Sequence, residues 1–197
     1  MSTRGRPRSA ESQARILAAT VHLVETQPWS ALTVEVIAAK AKVGKQTIYK
    51  WWGGRAALVM DAFLSSMSAR VQVPDSGHIE RDLSMYLKRS SRVLRETNAG
   101  RLLAVVMAES QFDEELAAAF RERFVARRRD TLRKLLERGV ERGQLRPDLD
   151  LELVMDLLFG VFWYRLLVGQ RVPLSDAFVE KMVKLMLRSM VAPRKDR

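Results

Sequence analysis

Thr33-Val34-Glu35-Val36-Ile37-Ala38-Ala39-Lys40-Ala41-Lys42-Val43-Gly44-Lys45-Gln46-Thr47-Ile48-Tyr49-Lys50-Trp51-Trp52 is the stretch whose reading decides the fold. Thr33 suits an N-cap, because its hydroxyl can accept from an amide of the first turn. Val36, Ile37 and Ala41 then fall on one side of a helix that ends near Ala41. A second short helix, from Lys45 to about Trp51, buries Ile48 and leaves polar and basic neighbours outside until Gly53-Gly54 breaks it. Two short helices joined by a tight turn, the second with an exposed polar face, outline a DNA-reading helix-turn-helix.

Working outward, Ile16, Leu17, Ala19, Thr20, Leu23 and Val24 recur at helical spacing and predict a first helix from about Ser9 to Gln27. A fourth, from about Arg55 to Arg70, turns Leu58, Val59, Ala62, Phe63 and Met67 inward. Val73-Pro74-Asp75-Ser76-Gly77 reads as a linker. Five further helices are expected at about 78–97, 101–112, 114–142, 151–168 and 176–191, with Asp113, Asp150 and Ser175 as N-caps. The expected fold is all-α, with about nine helices. Its parts are a basic arm over residues 1–8, a helix-turn-helix domain over 9–54, a connecting helix over 55–72 and a helical effector-binding and dimerisation domain over 78–192.

The charge is distributed to match. Of the net +11, residues 1–60 hold +6, from nine basic side chains against three acids, so the basic face belongs mainly to the amino-terminal module. The chain has no cysteine, which excludes disulfides and thiolate chemistry. His22 and His78 stand alone, without metal-ligand spacing, and no nucleotide loop or serine elbow is present. Neither an enzyme nor a cofactor or metal site is expected. Glu152, Asp156 and Arg165 interrupt the most apolar stretch, which argues against a membrane span, and no signal-peptide pattern follows Met1, so a cytoplasmic location is expected.

Together, Arg15-Ile16-Leu17-Ala18-Ala19, Leu32-Thr33-Val34, Ile37-Ala38-Ala39, Val43 to Trp52 and Arg55-Ala56-Ala57-Leu58 resemble the TetR family of transcriptional regulators. The resemblance implies a recognition helix in the major groove of a pseudo-palindromic operator, a second domain with a ligand cavity, dimerisation through the last two helices, and release of DNA on ligand binding. It places Lys45, Gln46, Thr47 and Lys50 against bases or phosphates, Thr33 and Tyr49 on phosphates, and Arg55 near the DNA backbone. The chemistry agrees: Gln pairs bidentately with adenine, Lys contacts guanine, and hydroxyls suit phosphate. Three departures stand out. Pro28 replaces the usual Gly at the exit of the first helix, so that helix is expected to end by Gln27. Lys42 stands where Gly is common, as a further phosphate contact, and Gly44 replaces a Ser or Thr cap.

Trp52 joins Ile48, Val36 and Ile37 as a core residue, whereas Trp51 fits either DNA or the first helix. The Arg4, Arg6 and Arg8 arm fits a minor groove or a nonspecific tail equally. Arg127-Arg128-Arg129 could bind an acid ligand, yet three consecutive helical positions point in three directions, which favours a solvated face, and Glu109 and Arg165 need structural partners or a ligand. Residues 151–168 and the final helix are apolar nearly all round, which predicts burial against both the protomer and a twofold mate, with Phe178, Met182, Leu185 and Met186 at the interface. Met107, Phe112, Phe159, Phe162 and Trp163 are the expected walls of an apolar effector cavity. The leading expectation is a homodimeric DNA-binding repressor released by an apolar or amphipathic small molecule. The alternative is a helical interaction module whose basic end meets acidic protein or anionic membrane.

Overall fold

The computed structural model describes residues 10–67, 73–168 and 174–191; the basic arm at residues 1–8 lies outside them. Helices follow one another as α1 (Ala10–Thr26), α2 (Val34–Ala41), α3 (Lys45–Trp52), α4 (Arg55–Ser66), α5 (Ile79–Glu96), α6 (Ala99–Glu109), α7 (Glu114–Phe120), α8 (Ala126–Glu141), α9 (Leu151–Val168) and α10 (Asp176–Met190). A 3₁₀ turn, Trp29–Ala31, precedes α2, and a π-helical turn, Arg121–Val125, joins α7 to α8. Among the described residues, β-structure is limited to one isolated bridge between Leu145 and Val191. The all-α expectation holds.

Local chemistry explains the boundaries. Thr33 Oγ1 accepts from Val36 N at 3.2 Å, Asp113 caps α7 through Leu116 N at 3.0 Å, Asp150 caps α9 through Leu153 N at 3.1 Å, and Ser175 caps α10 through Phe178 N at 3.2 Å. Pro28 offers no N–H to the helical ladder and disfavours helical backbone at the residue before it, so α1 stops at Thr26 and Gln27 N closes on Leu23 O at 2.9 Å. The helix expected over 114–142 is continuous but contains the π turn. One surplus residue there breaks the regular ladder.

The chain forms two compact units. The first comprises the described residues 10–67 and 101–123. Its core combines Ile16 and Leu23 of α1, Ile37 of α2, Ile48 of α3, Leu58, Val59 and Phe63 of α4, Leu103 and Val106 of α6, and Leu116 and Phe120 of α7. The second comprises 73–100, 124–168 and 174–191. There α5, α8, α9 and α10 enclose Leu83, Tyr86, Leu87, Leu132, Leu136, Met155, Leu158, Val179 and Val183. Residues 101–123 thus pack with the helix-turn-helix, although the sequence groups them with the second domain. Periodicity identifies a helix but not the neighbour that covers its apolar face.

The segment read as a linker is pinned at its carboxy-terminal side. Arg138 donates to Pro74 O at 2.8 Å and Arg142 pairs with Asp75 at 2.7 Å. Asp82 receives Ser76 N at 2.9 Å, while Gln144 accepts from Ile79 N and donates to Gly77 O. The hydrogen bond from Arg142, followed by the charge of Arg138, holds the Asp75 carboxyl below its usual 3.8. Because the folded value is the depressed one, this clasp contributes fully above pH 3.8 and is lost as pH falls through the lower folded value. A carboxyl-carbon NMR titration is expected to place the Asp75 midpoint below 3.8, and Arg142→Ala to return it towards that value.

Candidate DNA-binding site

Helix α2 ends on Lys42 in the left-handed conformation (φ 54°), with its amide closing on Ala38 O and Ala39 O and Val43 N on Ala38 O at 3.0 Å. This three-residue turn sets α3 across α2. A lysine there carries a steric cost of roughly 1–2 kcal/mol that glycine avoids, while its side chain is delivered exposed beside the start of α3. Gly44 begins α3 without a side-chain cap. The first amides of α3 therefore keep their partial positive charge open to an anion.

Around α3, Ile48 is fully buried while Lys45, Gln46, Tyr49 and Lys50 are exposed and Thr47 is half-buried. Positions i, i+1, i+4 and i+5 share one side of a helix, so four of the expected contact residues form one polar face. Thr33 is exposed at the start of α2. Its hydroxyl accepts from Val36 N, and its proton is directed to the Glu35 carboxylate, from which a phosphate has to draw it.

Lys45 is not a free cation in this state. It pairs with Glu35 at 3.5 Å, both side chains being about half exposed. The Glu35 carboxyl is held low, first by its own backbone amide and then by Lys45, so it stays ionised at neutral pH. Sequence inspection missed this acid, although its place on the first turn of α2, beside the start of α3, was the available signal. A solvated pair of this kind is weak and screened, and phosphate can displace it. Lys45→Ala is expected to flatten the plot of log affinity against log salt by about 0.9, and Glu35→Gln to raise affinity at low salt. Fluorescence anisotropy across a salt series reads both effects.

Arg55 corrects an expectation. Its guanidinium turns inward, donating to Trp29 O at 3.4 Å and Leu32 O at 3.2 Å, pairing with Asp113 at 3.1 Å and lying 4.3 Å from the centre of the Trp29 ring. Those partners take three of its five N–H donors and turn the guanidinium towards Asp113 and the turn before α2. Arg55 instead rivets the turn before α2 to the start of α7. A second polar chain ties the end of the recognition helix to the same region: Trp52 Nε1 donates to Asp61 at 2.7 Å, and Asp61 also pairs with Arg123. Trp52 is accordingly half-buried and polar-tethered rather than plain core. Trp51 is half-buried beside it, with ring centres 5.7 Å apart.

Residues 16–62 match the profile of bacterial regulatory proteins of the tetR family, and residues 73–186 match the tetracyclin repressor-like C-terminal domain. The chain belongs to the TetR family. It is 40% identical to the HTH-type transcriptional regulator YdeS of Bacillus subtilis (strain 168), an alignment covering 92% of this chain and 91% of that one. It is 28% identical to the DNA-binding transcriptional repressor TetR of Mycobacteroides abscessus over 98% of each chain. The crystal structure of the TetR-family regulator SCO0332 superposes with a TM-score of 0.71 at 34% identity, covering 93% of this chain and all of that one. At 16% identity, and thus as evidence of fold alone, the FadR regulator of Bacillus subtilis in complex with stearoyl-CoA gives 0.70, covering 88% and 97%. This TetR-family chain is a DNA-binding transcriptional regulator, and regulators of the family bind operator DNA and small-molecule effectors and dimerise. Among the described residues, no helix is long and apolar enough to cross a membrane.

The remaining expected residues fall in different settings. Phe112, on the turn between α6 and α7, is 91% exposed and lines no cavity wall, which removes it from the effector set. Met107 is buried in the first unit, whereas Phe162 is buried and Phe159 and Trp163 are half-buried in the second. On α10, Met182 is only 7% exposed and belongs to the unit's own core. Leu185 is 67% exposed, and Phe178 and Met186 are half-buried, the Phe178 ring lying under the Arg165 guanidinium. The apolar face left open belongs instead to α9: Leu153, Leu157, Tyr164, Leu167 and Val168 are all exposed, with Gly160 in the same stripe.

Proposed function

We propose that this regulator is a cytoplasmic homodimeric repressor that holds a pseudo-palindromic operator and releases it when a small apolar or amphipathic molecule occupies the second unit. The α3 face carries the reading: Lys45, Gln46, Tyr49 and Lys50 stand out from a helix anchored by fully buried Ile48. In this proposal Gln46 and Thr47 meet base edges, Lys45 and Lys50 meet bases or phosphates, and Thr33, Tyr49 and Lys42 hold the backbone. A second copy covers the α9 stripe together with Leu185. The effector side rests on Phe159, Phe162 and Trp163 and on the likeness in fold to a regulator that holds stearoyl-CoA. A ligand releases DNA only to the extent that it binds the non-binding arrangement more tightly.

Base contacts and phosphate contacts make different predictions. Gln46→Ala is expected to cost about 1–3 kcal/mol on the preferred operator and to relax preference at one position of each half-site. Tyr49→Phe is expected to weaken every sequence alike. Binding isotherms on the operator and its single-base variants test this, and an unaltered preference in the Gln46 variant removes that residue from base readout.

A further inference from the structure

Among the described residues, Tyr86 of α5 is a large polar-tipped side chain in the most deeply buried group, at 1% exposed, and its hydroxyl makes no well-aligned hydrogen bond. Leaving a buried hydroxyl unmade is costly, so such groups usually mark a missing water, ion or ligand. The neighbouring helix supplies a second anomaly. On α8 and the turn before it, Phe124, Arg128, Leu132 and Leu136 recur at every fourth position, and all but Arg128 are buried hydrophobics. Arg128 therefore sits on the inward stripe. It is half-buried, with its guanidinium 5.5 Å from the centre of the Phe124 ring.

The adjacent arginines are accounted for differently. Arg129 pairs with Glu152 and Asp156, and Arg133 pairs with Glu152, so the nearby acids of α9 are engaged on another side of α8. Among the described residues, Arg128 has no carboxylate in ion-pair range. Burial raises the Tyr86 pKa, and the Arg128 guanidinium opposes that rise by its charge and by a contact of hydrogen-bonding type, which brings the two polar groups together although no well-aligned hydrogen bond joins them. An inward cation lacking an acid and a buried hydroxyl lacking a well-aligned hydrogen bond ask for the same thing: an anionic oxygen. The rings of Tyr86 and Phe124 provide apolar surface next to it.

We propose that Tyr86 and Arg128 are the polar anchor of the effector site and bind the carboxylate of a small amphipathic acid, Arg128 by charge and Tyr86 as hydroxyl donor. This rests on reading the second unit as effector-binding and goes further by naming the head group and the two residues that hold it. Charge-assisted hydrogen bonds of this type discriminate strongly against a neutral isostere in a water-poor site.

The test uses the full-length protein, straight-chain carboxylic acids and the alcohols of matching length, with binding followed by calorimetry and operator affinity measured separately. At least one acid is expected to bind about tenfold or more tightly than its alcohol. Arg128→Gln should erase that preference, Arg128→Lys should keep part of it, and Tyr86→Phe should weaken the acid several-fold. Because Tyr86→Phe deletes an unsatisfied buried oxygen, it is also expected to raise the melting temperature of the ligand-free protein. Equal binding of acid and alcohol, no binding of any acid, or a preference that survives Arg128→Gln overturns the proposal. Acid binding that follows the expected pattern without any operator release would leave the anchor standing and count against the repressor reading instead.

Discussion

Leu157→Glu combined with Tyr164→Glu is expected to turn a dimer into a folded monomer and to lower operator affinity by about 10²–10⁴-fold, because two linked half-site contacts become two independent ones. Both side chains are at least half exposed on the α9 stripe, so glutamate meets water in the monomer and is buried without a partner only in the dimer. Sedimentation gives the mass, and circular dichroism shows that the helices persist. Met182→Glu is the informative contrast. At 7% exposed, Met182 lies inside the protomer, so a charge there is expected to unfold the second unit rather than separate two intact copies. A double variant of α9 that remains dimeric would assign the interface elsewhere.

Arg55→Met is expected to destabilise the first unit by about 2 kcal/mol, the order expected for charged hydrogen bonds and below the range for a fully buried pair, since Arg55 and Asp113 are 30% and 21% exposed. Methionine keeps much of the contact with Trp29 but removes the guanidinium from Leu32 O, from Trp29 O, which retains Leu32 N, and from Asp113, which retains Leu116 N. The consequence for DNA is distinctive. Affinity should fall on all sequences because the turn before α2 loosens, while the salt slope stays unchanged because no phosphate contact is lost. A slope flatter by about 0.9 would restore Arg55 to the phosphate-binding set. Chemical denaturation and a salt series on one protein preparation give both answers.

What was legible in the sequence was local. Thr33, Asp113, Asp150 and Ser175 mark helix starts because a short oxygen-bearing side chain reaches an amide three residues on, and Pro28 stops α1 because it has no N–H to continue the ladder and its ring disfavours helical backbone at Gln27. The polar face of α3 was legible for the same reason, since one helical repeat sorts Ile48 from Lys45, Gln46 and Tyr49.

Arg55 was misread because its partners lie 26, 23 and 58 positions away, and nothing in the local pattern separates an arginine facing phosphate from one folded inward. Met182 and Leu185 are close in sequence yet one is core and the other is exposed, a distinction that depends on where α5 packs. The stripe on α9 was hidden by an excess of signal: a helix apolar all round shows no open side until its neighbours are in place. Phe112 read as a cavity wall by its size, and the turn that carries it points it to solvent. The anchor residues of the second unit combine both situations. Arg128 was visible within Arg127-Arg128-Arg129, three side chains that point in different directions, but only the packing of α5 and α8 shows that the middle one faces inward.

Selection of bound duplexes from a random DNA library by the full-length protein tests the central claim most directly. A paired, pseudo-palindromic α3 readout predicts one enriched motif with twofold symmetry, its half-sites centred one helical turn or a multiple of it apart, about 10–10.5 base pairs per turn. Recovery of sequences with no common motif, at an affinity set by charge and salt alone, would contradict it.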